Sequence, residues 1–365
     1  MTFITFSIVL ETENLASADI GGFQDAIDSL LQQDVPISSS VDFIVIDTGE
    51  LSATLKQEIK QKYPWMRFLP SPASLGYYEV KQLGAKSVAG EVVIYCDADC
   101  IYDPGWLRSL LLPFQDEAVD IVAGETMIPV TGVYSMAMAV NYMLHRQTPQ
   151  PHLTPTGFYY LNNVAFRRQV VLDTPMPTDL PLYRGTCSIH SRILRKRGHK
   201  IWKQFSAKAY HAPPNGWQHY VWRFLVMGHD HYWLDIYFAK LKQGSQLNAR
   251  KAVLTSNAIV GEDAEVQSVA PPNKSVALRA TQKVQYIWRQ AQIYLQDEPE
   301  IRRFLPFALP IVLFSQSLIF IGRAVTARLP HILLKAYLAR FEPEFGNKLF
   351  AESNTAERLP ELTIR

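Results

Sequence analysis

Cysteine is scarce in this chain. The 365 residues contain three, Cys96, Cys100 and Cys187, which form neither a disulfide framework nor a repeated zinc spacing and read as reduced thiols. The CxxxC spacing of Cys96 and Cys100 could hold a metal, but two carboxylates intervene and there is no second cysteine pair. Net charge is also small, +2, which excludes a dedicated nucleic-acid binder. No secretory signal is expected, since Met1 to Leu10 lacks a basic start and Glu11 and Glu13 interrupt the apolar run. Internal repeats and low-complexity tracts are missing too. One absence is local: between Ile301 and Phe341 there is no acidic residue, only Arg302, Arg303, Arg323, Arg328, Lys335, Arg340 and His331 among apolar positions. The rest of the chain therefore carries a slight acidic excess.

What is present is a β/α alternation. Phe3 to Leu10, Val41 to Ile46, Met66 to Leu69 and Glu91 to Tyr95 read as strands, rich in β-branched and aromatic residues. Helical spacing separates them at Phe23 to Gln33, Leu51 to Lys62 and Tyr78 to Val88. A helix at Pro104 to Leu112, a strand at Asp120 to Gly124 and a helix at Ser135 to Arg146 follow. Then come a basic helix at Ile189 to Arg197, two short strands at 200–202 and 207–210, and a helix over Gln218 to Leu241. Such alternation implies an α/β fold around a Rossmann-like, mostly parallel sheet, with ligands beyond the carboxyl ends of the strands. Glu11, Asp47, Asp97 and Asp99 fall at those ends. The irregular text from Thr126 to about Asp179 reads as a pocket wall or lid.

The most informative piece is Cys96-Asp97-Ala98-Asp99-Cys100, directly after Val92-Val93-Ile94-Tyr95. Two carboxylates one residue apart at a sheet edge supply hard oxygen ligands for Mg²⁺ or Mn²⁺, and such an ion can hold a diphosphate. Asp-x-Asp alone is weak, because Asp is a common turn residue. Its neighbours strengthen it: Leu10-Glu11-Thr12-Glu13-Asn14 after the first strand, Gln32 in the first helix, Ile46-Asp47-Thr48-Gly49, and Gly76, Lys81, Gly84-Ala85 and Ala89-Gly90-Glu91 before the metal strand.

In this order, over roughly residues 3 to 215, the motifs resemble those of family-2 glycosyltransferases of the GT-A fold, the nucleotide-diphospho-sugar transferase fold. The resemblance implies a hexosyltransferase-like enzyme that moves a sugar from a nucleotide sugar with Mn²⁺ or Mg²⁺. Asp97, Asp99 and His211 would hold the metal, and Glu11, Asp47, Lys81 and Asp97 would contact the donor. Lys81 stands where the family usually has Arg. A lysine can still meet a phosphate as a point charge, although on an exposed helix face it would be solvated surface.

The acceptor side departs from the family. Asn162-Asn163-Val164-Ala165-Phe166-Arg167-Arg168 has Leu161 in place of a glycine. Where a Glu-Asp pair with the general base is expected, the chain has Thr186-Cys187. Three accounts stay open: Asp179 serves from the adjacent loop, His190 serves from the helix, or the acceptor is already ionised, such as a phosphate, and meets Arg167, Arg168, Arg184, Arg192 and Arg195. The missing pair also leaves open a degenerate, non-catalytic sugar-binding or scaffold domain. A nucleotidyltransferase would want a glycine- and lysine-rich loop after the first strand, where this chain is acidic.

Phe304 to Gly322 is nineteen residues of mostly apolar sequence, the lower bound for a bilayer-crossing helix. Ala324 to Phe341 mixes basic and apolar residues as an interfacial helix does. The expected organisation is a catalytic domain over 1–240, a helical extension over 241–300, membrane-associating helices over 301–341 and a polar tail over 342–365. The catalytic domain is expected on the cytoplasmic side, with a sugar or lipid-linked acceptor.

Overall fold

A computed structural model describes residues 4–12, 23–49, 51–178, 180–256 and 276–353. A nine-stranded sheet runs through its centre. The strands are β1 (Phe6–Glu11), β2 (Asp42–Asp47), β3 (Met66–Pro70), β4 (Val92–Asp97), β5 (Cys100–Tyr102), β6 (Ile121–Met127), β7 (Thr154–Thr156), β8 (Asn163–Arg167) and β9 (Ile201–His211). Their spatial order is β3-β2-β1-β4-β8-β6-β9-β5, with β7 also on β9.

The first half, β3-β2-β1-β4, is parallel throughout, as the short β/α spacing predicts. α1 (Phe23–Leu31), α2 (Ala53–Lys62) and α3 (Tyr77–Lys86) make the crossovers. β1 and β4 are buried at every position, because the sheet is covered on both faces; this is why they read as continuous apolar runs rather than alternating ones. The second half is mixed: β8 runs antiparallel to β4 and β6, while β6 and β9 are parallel. β9 is one strand of eleven residues, where sequence patterning suggested two short ones. The register between β6 and β9 slips at Gly124/Glu125, so the strand bends without ending, and the polar Gln204 to Ser206 stretch lies inside it.

The remaining helices are α4 (Trp106–Leu111), α5 (Val133–Asn141), α6 (Arg168–Asp173), α7 (Thr186–Lys196), α8 (Trp217–Ser256), α9 (Val276–Asp297), α10 (Leu305–Arg328), α11 (Ile332–Phe341) and α12 (Pro343–Ser353). One apolar cluster joins Met136 and Val140 of α5, Tyr220 and Phe224 of α8, Tyr294 of α9 and Val312 of α10. Residues drawn from 1–240, 241–300 and 301–341 thus share a core. A buried ion cluster reinforces it: Glu125 on β6 lies 2.5 Å from Lys203 on β9 and 3.5 Å from Arg146, and Arg146 also pairs with Asp297 at the end of α9. Burial lowers the Lys203 pKa, and the attraction of Glu125 opposes that.

α10 is the one helix among the described residues that is long and apolar enough to cross a membrane, with a mean hydropathy of 2.1 over its most apolar 18 residues.

Candidate active site

Three of the four strands in the parallel half, β1, β2 and β4, end in carboxylates where they pass from the buried sheet into loops at the same edge. Glu11 of β1 lies in register with Asp97 of β4, and Asp47 closes β2. The turn after Asp97 is tightly held. The Asp97 N–H donates to the Tyr102 hydroxyl at 2.9 Å, the Ala98 N–H to the Glu11 carbonyl at 2.8 Å and the Ala212 N–H to the Asp99 carbonyl at 3.0 Å. The last bond ties the turn to the end of β9, where Cys100 and His211 are register partners.

That pairing brings Asp99 and His211 together. The His211 Nε2 lies 3.4 Å from an Asp99 carboxylate oxygen. The His211 Nδ1–H donates to the Ala212 carbonyl at 2.5 Å, so the lone pair sits on Nε2, facing Asp99. Burial raises the Asp99 pKa, against the pull of His211. A carboxylate and an imidazole lone pair at this spacing fit a borderline cation such as Mn²⁺. Cys100 also lies within metal-ligand spacing of the two. Its thiol is wholly buried in the core and burial pushes its pKa well up, so it suits a hard cation poorly.

The other predicted residues divide. Asp97 lines the cavity, but its carboxylate is engaged from within, by Lys81 and by the Tyr77 hydroxyl at 2.8 Å. Lys81 is not solvated surface. It is fully buried, bonded to Asp97 and, at 2.5 Å, to the Cys96 carbonyl, and it lies 5.3 Å from the centre of the Tyr77 ring. Burial lowers its pKa, but Asp97 and Glu11 outweigh that and the net shift is upward. Its direction was visible in the spacing of Tyr77, Lys81, Gly84 and Ala85, which puts all four on one side of α3. Asp47 accepts from the Gly49 N–H at 3.0 Å and pairs with Lys56 at 2.7 Å, so it fixes its own turn. Glu11 is buried beside the Asp97 strand end.

His190 does not face the cavity. It is fully buried, with Nδ1 bonded to the Tyr159 hydroxyl at 2.5 Å and Nε2 to the Thr174 carbonyl at 2.7 Å. Both ring nitrogens are used inside the core, and burial lowers its pKa to about 4. It is neither the proton acceptor nor the surface group that sequence patterning allowed. Asp179 and Glu13 lie outside the described residues. Cys187 lines the cavity, and burial raises its pKa to about 12, which leaves a thiol unable to take a proton.

The cavity itself has a volume of about 480 Å³. Asp97, Asp99 and His211 lie at one part of its wall, and the side chains of α8 form another. Two of these were missed in sequence. Arg223 is buried, donates to the Tyr142 hydroxyl at 2.8 Å and lies 4.7 Å from the Tyr183 ring centre. Asp230 accepts the Tyr183 N–H at 2.9 Å and the Arg184 N–H at 3.0 Å, yet burial raises its pKa to about 7. Their signal was the helical repeat Arg223, Met227, Asp230, Leu234, which puts charge on a face otherwise apolar.

Residues 22–174 match the family described as glycosyl transferase family 2. No curated protein sequence matches the chain. Among solved structures it is similar to GalNAc-T7 with UDP, GalNAc and Mn²⁺, at 15% identity and a TM-score of 0.47, over 58% of this chain and 44% of that one. It is also similar to the mannosyltransferase PcManGT from Pyrobaculum calidifontis in complex with GDP-Man and Mn²⁺, at 13% identity and a TM-score of 0.48, over 98% of this chain and 89% of that one. The chain thus spans under half the length of the first. At such identities neither structure assigns a donor or an acceptor here.

Proposed function

We propose that this α/β chain, homologous over 22–174 to glycosyl transferase family 2, transfers a sugar from a nucleoside-diphosphate donor to a lipid-linked acceptor at a membrane. The observation that carries the reading is the placement of Asp99 against the Nε2 of His211 in the cavity beyond the strand ends. Asp99 and His211, with Asp97 beside them, would hold Mn²⁺ or Mg²⁺. A divalent ion there would neutralise charge on the departing diphosphate.

The chain's own residues supply the rest. Lys81 and Tyr77 hold the Asp97 carboxylate in one orientation. Glu11 and Asp47 stand at the strand ends where a nucleotide would lie. Asp230 is a cavity-wall carboxylate on α8, apart from the Asp97 and Asp99 pair, and a pKa near 7 suits a proton acceptor for a hydroxyl. It takes the place left vacant at Thr186-Cys187. The apolar side chains Met227, Leu234 and Phe238 on the same wall suit a lipid-borne acceptor. A complete metal pair and an available base favour an enzyme over a non-catalytic scaffold.

Calorimetry of the purified full chain in detergent, against UDP, GDP, CDP and dTDP with and without Mn²⁺, tests this. Metal-dependent binding of one nucleotide, lost in Asp99→Ala with the fold kept, is the expected result. A folded protein that binds none of them is a scaffold.

A further inference from the structure

α10 could cross a bilayer on length alone: its 24 residues extend about 36 Å, against a hydrocarbon core of about 30 Å. Its packing argues otherwise. Ala308, Val312, Ser315, Ile319, Gly322 and Thr326 are buried, at spacings of three and four that define one face along the whole helix. That face lies on α8. Gly228 and Gly322 let the two backbones meet: a Cβ on Gly228 would strike the Ile319 carbonyl, and one on Gly322 the Leu225 carbonyl.

Polar bonds continue the contact from end to end. The Tyr220 hydroxyl meets the Ser315 hydroxyl at 2.6 Å, His229 Nδ1 meets the Thr326 hydroxyl at 3.2 Å and Arg323 pairs with Asp235 at 2.5 Å. Gln316 donates to Asn141 of α5. If α10 spanned the bilayer, α8 would be carried in beside it, with Arg223, Asp230 and Asp235. Ionisable side chains are costly at membrane depth, so these three disfavour the spanning arrangement.

Among the described residues, the opposite face of α10 is largely uncovered. Phe307, Leu313 and Phe320 are 68, 66 and 64% exposed, with Leu309, Phe314 and Ile321 beside them. Trp217, 68% exposed, stacks on Phe314 with ring centres 5.5 Å apart. Exposed Arg302, Arg303 and Arg328 bracket this stripe, exposed Lys335 and Arg340 continue it on α11, and no acidic side chain lies between Ile301 and Phe341. An apolar stripe with a basic border is the surface that fits an anionic leaflet.

We infer that α10 lies flat in one leaflet of an anionic membrane, its Phe307–Leu313–Phe320 face in the acyl region and its basic border at the headgroups, and does not cross. This rests on the membrane part of the proposed function and is independent of the catalytic part. Because α8 carries α10 on one face and the cavity on another, the leaflet is held one helix away from the site, within reach of a lipid-borne acceptor.

The test uses the full chain with Cys187→Ser, in two versions carrying Glu300→Cys or His331→Cys at the two ends of α10, expressed with sealed membrane vesicles. An impermeant maleimide added outside should label both positions in vesicles of one orientation and neither in the inverse orientation. Labelling of one position in each orientation would show a spanning helix and overturn the inference. In flotation with the purified chain, phosphatidylcholine vesicles containing phosphatidylglycerol should bind at least tenfold more tightly than pure phosphatidylcholine, and Phe320→Glu should lose that binding. Equal binding to both, or a stable dimer that binds neither, would also overturn it. Metal-dependent nucleotide binding, measured separately, is expected to persist in Phe320→Glu.

Discussion

The buried ammonium of Lys81 is bonded to the carboxylate of Asp97 and to the carbonyl of Cys96, so a helix lysine is built into the strand end that forms the candidate site. The Tyr77 hydroxyl takes the other Asp97 oxygen. Asp97 is thereby held in one orientation, and Asp99 is left as the carboxylate facing His211.

Lys81→Met should therefore destabilise the fold. Removing one partner of a buried pair leaves an uncompensated charge and costs about 3–5 kcal/mol. The expected outcome is a Tm lowered by several degrees together with weakened metal-dependent nucleotide binding. If Lys81 acted only on a bound phosphate, binding would weaken and the Tm of the ligand-free protein would not move.

The buried cluster of Glu125, Lys203 and Arg146 makes a parallel prediction far from the metal ligands. Arg146 joins β6 to the end of α9 through Glu125 and Asp297. Arg146→Met should lower stability by about 3 kcal/mol, read by chemical denaturation in detergent. Protease sensitivity around α9 should rise with it, because the tie to Asp297 is lost. An unchanged denaturation midpoint would show that the cluster is energetically neutral.

Acid should unfold the protein partly through His190. Its folded pKa, about 4, lies below the unfolded value near 6.5. The unfolded chain therefore binds the extra proton between those values. His190 contributes stability that is full above about pH 6.5 and is lost as pH falls toward 4, on the order of 3 kcal/mol. His190→Gln should lower stability at pH 7.5 and flatten the decline below pH 6.5. A decline as steep as in the parent chain would assign it to other groups.

How much of this could be read in the sequence follows from how local each feature is. The parallel half of the sheet was legible, since Val41 to Ile46 and Val92 to Tyr95 are apolar runs set by burial on both faces. The strand-end carboxylates were legible for the same reason, whereas His211 was expected beside Asp99 only through the family resemblance, and the structure places the two 3.4 Å apart. What failed depended on distant partners. β9 runs unbroken past Gln204 and Ser206 because it bulges there against β6, which pairs with it on both sides of the slip, and the apolar pattern of 201–211 does not record that distant pairing. His190 looked like a surface or catalytic group because its partners, Tyr159 and Thr174, are far away in sequence. α10 read as a possible span because composition does not show that α8 lies against one face.

Asp230 is the sharpest case of a residue that only the fold identifies, and it carries the last prediction. A general base works in its ionised form, so with a pKa of about 7 turnover should fall about tenfold per unit as pH drops below 7. Free nucleoside-diphosphate release over pH 5.5 to 8.5 reads this. Asp230→Asn should abolish most of that release and remove the acid limb from what remains, while Asp230→Glu should restore part of the rate with the limb shifted. Stability moves the other way. The folded pKa lies above the unfolded value of about 3.9, so the folded state holds the proton more tightly. This contribution is full at low pH and is lost as pH rises from about 4 through 7, on the order of 4 kcal/mol. Asp230→Asn should therefore be more stable than the parent chain at pH 8, relative to their difference at pH 4. If Asp230 only caps the Tyr183 and Arg184 N–H groups, the asparagine variant would lower stability at both pH values and leave the shape of the pH–rate profile unchanged, and the proton acceptor would have to lie elsewhere.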